Sequence, residues 1–235
     1  MGRAARTPDK FVVCLATHVQ RLVRLKLPII GDSNDGSFSH RRLLGQTTAV
    51  SQPFFEARTI DLSRRLLGCV LTHRGTAGMI VETEAYLGED DLAAHSSRGE
   101  TQRTKVIFGP PGRAYVYFIY GMHECLNIVA EPAGKPGCVL IRALQPLTDI
   151  ELMRQRRQWK GNITGLTNGP GKLTQALDIT RAQYGARLDR GGLTIRHWRK
   201  QPQFAIETTP RIGIRECADW PLRFVWAGHP CLSRN

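Results

Sequence analysis

Met79-Ile80-Val81-Glu82-Thr83-Glu84-Ala85-Tyr86 reads as a strand: an apolar lead-in followed by residues that tolerate a pleated, half-buried surface. Alternation along it puts Glu82, Glu84 and Tyr86 on one face and Val81, Thr83 and Ala85 on the other. Two carboxylates beside an aromatic make an odd core face. They make an equally odd solvent face, because Met79 and Ile80 run straight into them. Either one carboxylate is held in a partly buried pocket as a general base, or the face is solvated and carries two ordinary acids.

Working outward, residues 69–73 form a second strand, joined to the first across Arg74-Gly75, a hairpin signal. Residues 54–67 precede it with a helical pattern through Leu62, Leu66 and Leu67. Residues 88–112 show little periodicity, a length that marks a functional loop in a compact domain. Further strands are expected at 114–120, 125–130 and 138–144, with turns at Gly121 and across Gly134, Pro136 and Gly137. Helices are expected at 149–159, capped by Thr148 or Asp149, and at 171–177, entered through Pro170. Residues 193–198, 204–206, 211–214 and 222–226 read as short closing strands. The linkers are mostly too short for βαβ crossovers. The expected class is therefore α+β: one domain with a mostly antiparallel, curved sheet, an open barrel or roll, surrounded by helices.

The whole chain has 235 residues, 33 Lys+Arg against 20 Asp+Glu and a net charge of +13. Residues 1–52 hold eight basic and three acidic residues, a surplus of +5, which leaves +8 for residues 53–235. The first segment lacks convincing caps and is rich in Gly, Ser, Asn and Asp over 31–52, so it reads as a basic, mostly disordered extension ahead of a domain at 53–235. No run approaches the 18 apolar residues of a membrane span, and no secretory signal is present. Six cysteines without a CxxC pair argue against a disulfide scaffold or a zinc knuckle. The surplus charge narrows the partners to polyanions.

Four further features carry chemistry. Tyr115 and Tyr117 share a strand face with Ile119, while Tyr120 sits beside the turn glycine, where an aromatic projects as a wedge between bases. The alternative is an amphipathic strand whose hydroxyls reach water. His95 ends the short acidic stretch 89–91, and a lone histidine is more often structural than catalytic. Arg142 stands in the apolar strand Val139-Leu140-Ile141-Arg142-Ala143-Leu144 and needs an anionic partner, for which Glu82 and Glu84 are the nearest sensible candidates. Gly169-Pro170-Gly171-Lys172 lacks Walker spacing and reads as a helix start able to receive a phosphate. HExxH and the zinc-deaminase pattern are absent, and no metal or other cofactor is expected.

In this order, the blocks resemble the alkyladenine (3-methyladenine, N-methylpurine) DNA glycosylase family. The matching blocks include Leu66-Leu67-Gly68, the segment 80–86, Ala93-Ala94-His95-Ser96, Gly109-Pro110-Pro111-Gly112, the segment 115–122, Leu126-Asn127, the segment 139–144, Gly169-Pro170-Gly171-Lys172-Leu173 and Pro221-Leu222-Arg223-Phe224. They span the body from about residue 54 and leave out residues 1–52. The resemblance implies that Glu84 activates a water and Arg142 helps to hold it. It implies that Tyr86, His95 and Tyr117 wall the pocket of an extruded base, that Asn127 crowds the position of guanine's amino group, and that Tyr120 fills the gap in the duplex. Glu82 receives no part in the chemistry. Residues 98–107 lack the Pro and Asn expected near Gln102 and Thr104, and Glu124 stands where some relatives look aromatic.

The implied activity is base-excision repair. An alkylated or deaminated purine flips out of double-stranded DNA, its N-glycosidic bond is hydrolysed, and an abasic site remains. The matched pocket blocks hold no lysine for a Schiff base, so the enzyme is expected to be monofunctional, without lyase activity; a single lesion needs no second subunit, so a monomer is expected. The compartment follows the host: cytoplasm and nucleoid in a bacterium, nucleus or organelle in a eukaryote, not secreted. The rival readings are a non-catalytic nucleic-acid-binding module, a nucleoside or RNA hydrolase, and a formyltransferase-like domain sharing only the fold.

Overall fold

The computed structural model describes residues 39–119 and 121–234. Within them, nine strands form one antiparallel, unclosed sheet and four α-helices pack around it. The fold is α+β, as the sequence leads one to expect.

The described chain opens with α1 (His40–Gln46) and β1 (Thr47–Ala49), both inside the expected extension. The Ser39 hydroxyl accepts from the Arg42 amide to cap α1, and Leu43 is completely buried beside Val70, Met79 and Trp198. Burying such a side chain is worth about 1.5–3 kcal/mol, enough to hold a two-turn helix that would not persist alone. The folded part therefore begins before residue 53. The signal was a serine cap four residues ahead of the first of two leucines, Leu43 and Leu44, inside a segment whose composition reads as unstructured. Residues 1–38 lie outside the described part.

Next come α2 (Thr59–Leu66), β2 (Val70–His73) and β3 (Thr76–Tyr86), the last two joined through Arg74 and Gly75, both at positive φ. The helical pattern expected from residue 54 breaks into a short 3₁₀ turn, Gln52–Phe54, and α2. β4 (Ala114–Ile119) and β5 (His123–Val129) form a hairpin, followed by β6 (Cys138–Thr148). Then follow α3 (Ile150–Arg157), α4 (Pro170–Leu177), β7 (Leu193–Trp198), β8 (Ile206–Thr209) and β9 (Arg223–Trp226). Asp149 precedes α3 in a left-handed conformation and makes no side-chain cap. Thr148 instead donates its hydroxyl to the Gly75 carbonyl.

The spatial order is β1-β7-β2-β3-β6-β5-β4, with β9 on β3 and β8 on β9. β3 and β6 are the longest strands, paired from Ala77↔Thr148 to Tyr86↔Cys138. Along its other edge β3 changes partner, from β2 at Thr76–Met79 to β9 at Glu82–Glu84. Register shifts between Ile80 and Thr83 accompany that change, and such bulges bend a strand and re-aim its side chains. Both faces of this centre are covered. Ile80, Ile141 and Leu144 pack into one apolar cluster, and Met79, Val81 and Leu147 into another. Burial on both sides is why β6 reads as a continuous apolar run rather than an alternating one.

The expected strand at 211–214 is absent, and the one expected at 204–206 lies instead at Ile206–Thr209. Around 211–214 the polar groups go to side chains rather than to a ladder: the Ile212 amide donates to Glu84 and the Arg211 guanidinium to Asp91.

Candidate active site

Strands β3, β6, β5 and β4, adjacent in that order, carry most of the candidate residues to one cavity of about 530 Å³. That volume is in the usual range for a small-molecule site. Tyr86 from β3, Tyr115 and Tyr117 from β4, and His95 from the loop after β3 supply aromatic walls. Asn127 of β5, Cys138 and Arg142 of β6, and the start of α4 complete much of the lining.

Glu84 does not itself face the cavity; its exposure is 0%. Its three hydrogen-bond donors do line it. Oε1 accepts from the Ile212 amide at 2.7 Å, and Oε2 accepts from the Tyr86 hydroxyl at 3.1 Å and from Arg142 Nη1 at 3.2 Å. A carboxylate has about four acceptor positions, so one remains for a water approaching between these groups. Burial pushes the Glu84 carboxyl above its ordinary range, against the opposing pull of Arg142, Ile212 and Tyr86. A carboxylate raised in this way is a stronger base than one in water. Arg142 is itself nearly buried. Desolvation works against its charge, but Glu84 and Glu82 more than compensate and raise its pKa.

The two acids of β3 thus share one face, and both meet Arg142, as the alternation and the arginine in an apolar run imply. Arg142 also donates from Nε to Glu82 Oε1 at 3.1 Å.

The aromatic walls interlock. His95 Nδ1 lies 2.9 Å from the Tyr115 hydroxyl, and its ring meets Tyr117 edge-on with centroids 4.6 Å apart. Burial, and then the Arg103 charge, lower the His95 pKa to about 4, so the ring is neutral at ordinary pH. Tyr115 is pushed up to about 12, mainly by burial, and Tyr117 also rises well above the usual phenol value. Arg103 reaches within 5.1 Å of the Tyr117 centroid. Asn127 is pinned on both sides: its amide donates to the Tyr115 carbonyl at 3.4 Å, and its Oδ1 accepts weakly from the Cys138 thiol at 3.8 Å.

Several site residues escape a reading along the sequence. Asp91 is fully buried and binds both Arg211 guanidinium nitrogens, at 2.6 and 2.8 Å. The same arginine sits 4.7 Å from the Tyr86 centroid. Asp91 also accepts from the Leu87 and Ala93 amides, which folds the loop that presents His95. Lys172 lines the cavity as well, so the expectation of a lysine-free pocket does not hold. Its Nζ donates to Asn168 Oδ1 at 2.7 Å, and its pKa is lowered by burial and then by Arg157. Pro170 occupies the first turn of α4, as expected, and Gly171 leaves room for His123, whose ring would stand 2.9 Å from an added Cβ. Tyr120 lies outside the described residues. Of its neighbours, Ile119 ends β4 and Gly121 lies in the β4–β5 turn, and Ile119 and His123 line the cavity.

A buried carboxylate, the arginine bonded to it and a set of aromatic walls thus meet at one cavity of a basic chain. Comparison with known proteins states the class. The methylpurine-DNA glycosylase family model matches residues 53–230. A curated relative from Methanoculleus marisnigri, named "Putative 3-methyladenine DNA glycosylase", is 47% identical over 188 residues, covering 77% of this chain and 97% of its own. Relatives of the same name from Bacillus cereus and Prosthecochloris aestuarii are each 44% identical. They cover 77% and 79% of this chain and 97% and 91% of their own lengths. The chain belongs to the methylpurine-DNA glycosylase family and is a DNA glycosylase. No helix among the described residues is long and apolar enough to cross a membrane.

Proposed function

We propose that the protein excises alkylated or deaminated purines from double-stranded DNA by simple hydrolysis, acting as a monomer. The observation that carries this reading is Glu84: a carboxylate with no exposure whose donors Tyr86, Arg142 and Ile212 all line an aromatic cavity. A target base cannot be reached inside the duplex, so it flips out at a cost of a few kcal/mol. Tyr86, His95 and Tyr117 hold it, gaining about 0.5–2 kcal/mol per ring when the base is cationic. Asn127, held by Tyr115 and Cys138, crowds the space where guanine carries its amino group. Tyr120 fills the vacated place in the stack.

Glu84 then takes a proton from a water that attacks the sugar C1′ as the glycosidic bond breaks, and its charge stabilises the oxocarbenium-like state. Arg142 holds Glu84 ionised and helps to orient the water. The products are the free base and an abasic site. Lys172 belongs, on this reading, to the DNA backbone: it sits at the positive end of α4, where a phosphate is welcome.

Incubation with methylated duplex DNA should release free 3-methyladenine and 7-methylguanine, detected by chromatography; no released base would overturn the reading. Borohydride should trap no covalent protein–DNA adduct. An adduct that vanished in Lys172→Ala would replace hydrolysis by Schiff-base chemistry. Tyr120→Ala should lose affinity for abasic-site DNA, and unchanged affinity would remove the wedge.

A further inference from the structure

The acid that the glycosylase reading leaves idle is among the most heavily bonded groups in the site. Glu82 has 0% exposure and four donors. Its Oε1 accepts from Arg142 Nε at 3.1 Å, Arg223 Nε at 2.7 Å and the Ser233 hydroxyl at 2.7 Å, and its Oε2 accepts from the Ser233 amide at 2.6 Å. Ser233 lies beyond residue 230, where the family match ends. Its Oγ also lies 3.4 Å from both Nε and Nη2 of Arg142, so it accepts from the arginine while donating to Glu82. Arg223 binds the same segment through the Arg234 carbonyl, at 2.9 Å, and Arg234 reaches the cavity wall. The segment is anchored upstream too: the Cys231 amide donates to His229 Nδ1, and His229 Nε2 lies 3.0 Å from Gln145 Oε1 on β6.

A guanidinium is planar, so fixing its Nε edge fixes where its Nη groups point. Among the described contacts, Glu82 and Ser233 take the Nε and Nη2 side of Arg142, which leaves Nη1 aimed at Glu84. From this geometry we infer that Glu82 and Ser233 are positioning residues for Arg142: the segment after residue 230 completes a relay that aims the arginine at the general base. The inference rests on the reading of Glu84 as that base.

A purely structural ion pair would also be buried here, so the test reads the chemistry. The charged and titratable groups around Glu84 are Arg142 from β6, Glu82 and Tyr86 from β3, Arg223 from β9 and Arg211 from the loop before β9. Glu82→Gln removes a negative charge from this set, so the acid limb of the pH–rate profile should move to lower pH. Ser233→Ala keeps that charge but strips it of a donor, so the limb should move to higher pH. Glu82→Asp keeps the charge and should leave the limb where the parent has it.

The measurement is single-turnover release of 3-methyladenine from methylated duplex DNA as a function of pH, at saturating full-length protein. The rate should fall on the order of ten-fold in Glu82→Gln, from misplacement of the arginine, with affinity for the DNA unchanged. Ser233 is only partly buried, so its alanine variant should fold even if Glu82→Gln does not. Glu84→Gln serves as the control. If it is inactive while Ser233→Ala and any folded Glu82→Gln retain the parent rate and profile, the positioning inference is overturned and the base assignment stands. If Glu84→Gln keeps its turnover, the base assignment falls and the inference falls with it.

Discussion

Two arginines lie buried beside the same cavity, and they are bound in opposite ways. Arg211 has one carboxylate to itself: both guanidinium nitrogens meet Asp91, at 2.6 and 2.8 Å, with both side chains at 0% exposure. Arg142 is divided between Glu82 and Glu84, and Glu82 is divided between Arg142 and Arg223. The bidentate pair, whose further bonds go only to nearby backbone at Ala85, Leu87 and Ala93, acts as a strap, tying the His95 loop to the segment that carries Ile212. The divided arginine leaves Glu84 with one acceptor position unfilled by protein. A closed pair holds the site's shape, and an open network is available to a reactant.

Breaking the open network should show in rate. Glu84→Gln should slow base release about 10²- to 10⁴-fold, the usual worth of a general base, while affinity for lesion DNA stays near the parent value. Single-turnover kinetics and a binding titration on the same sample check both halves. Breaking the closed pair should show in stability instead. Arg211→Met leaves Asp91 buried and uncompensated, a loss of about 3–5 kcal/mol in denaturant unfolding. Arg211→Met combined with Asp91→Leu should cost clearly less than the single change, because no charge is stranded. An additive double mutant would mean that the two residues do not form one unit.

Smaller effects sharpen the contrast. Asn127→Ala removes the side chain proposed to crowd guanine's amino group and should raise excision of undamaged guanine by about ten-fold, within the worth of one steric contact. The pH profile should also separate the two kinds of group. On the proposed mechanism Glu84 acts ionised, and its pKa is raised, so activity should fall as pH drops through a value above the ordinary carboxylate range. His95 stays neutral down to about pH 4 and so contributes nothing to that limb. A limb in the ordinary carboxylate range would remove burial of Glu84 as a working feature. Lys172→Ala should be mildest, weakening DNA binding evenly across sequences and lowering the slope of log affinity against log salt by about one.

Much of this was legible along the chain. Alternation placed Glu82, Glu84 and Tyr86 together because a strand has a period of two whatever surrounds it. An arginine in an apolar run demanded a carboxylate, because a buried charge cannot stand alone. The strand at 211–214 misled, since an apolar–polar pattern does not reveal that a backbone amide will be claimed by a distant carboxylate. The lysine at 172 misled for a related reason: sequence blocks do not say which helix end closes a cavity.

The sequence by itself determined the strand faces, the hairpin signals, the start of α4 and the surplus of +13, all of which depend on neighbouring residues or on simple counting. Only the tertiary structure decided that Asp91 belongs to Arg211 rather than to solvent and that Ser233 sits on Glu82, 151 residues away. It likewise decided that a leucine at position 43 belongs to the core. Those choices depend on which groups are left without water once the sheet closes over them. Desolvation is a property of the packed molecule, and no local pattern encodes it.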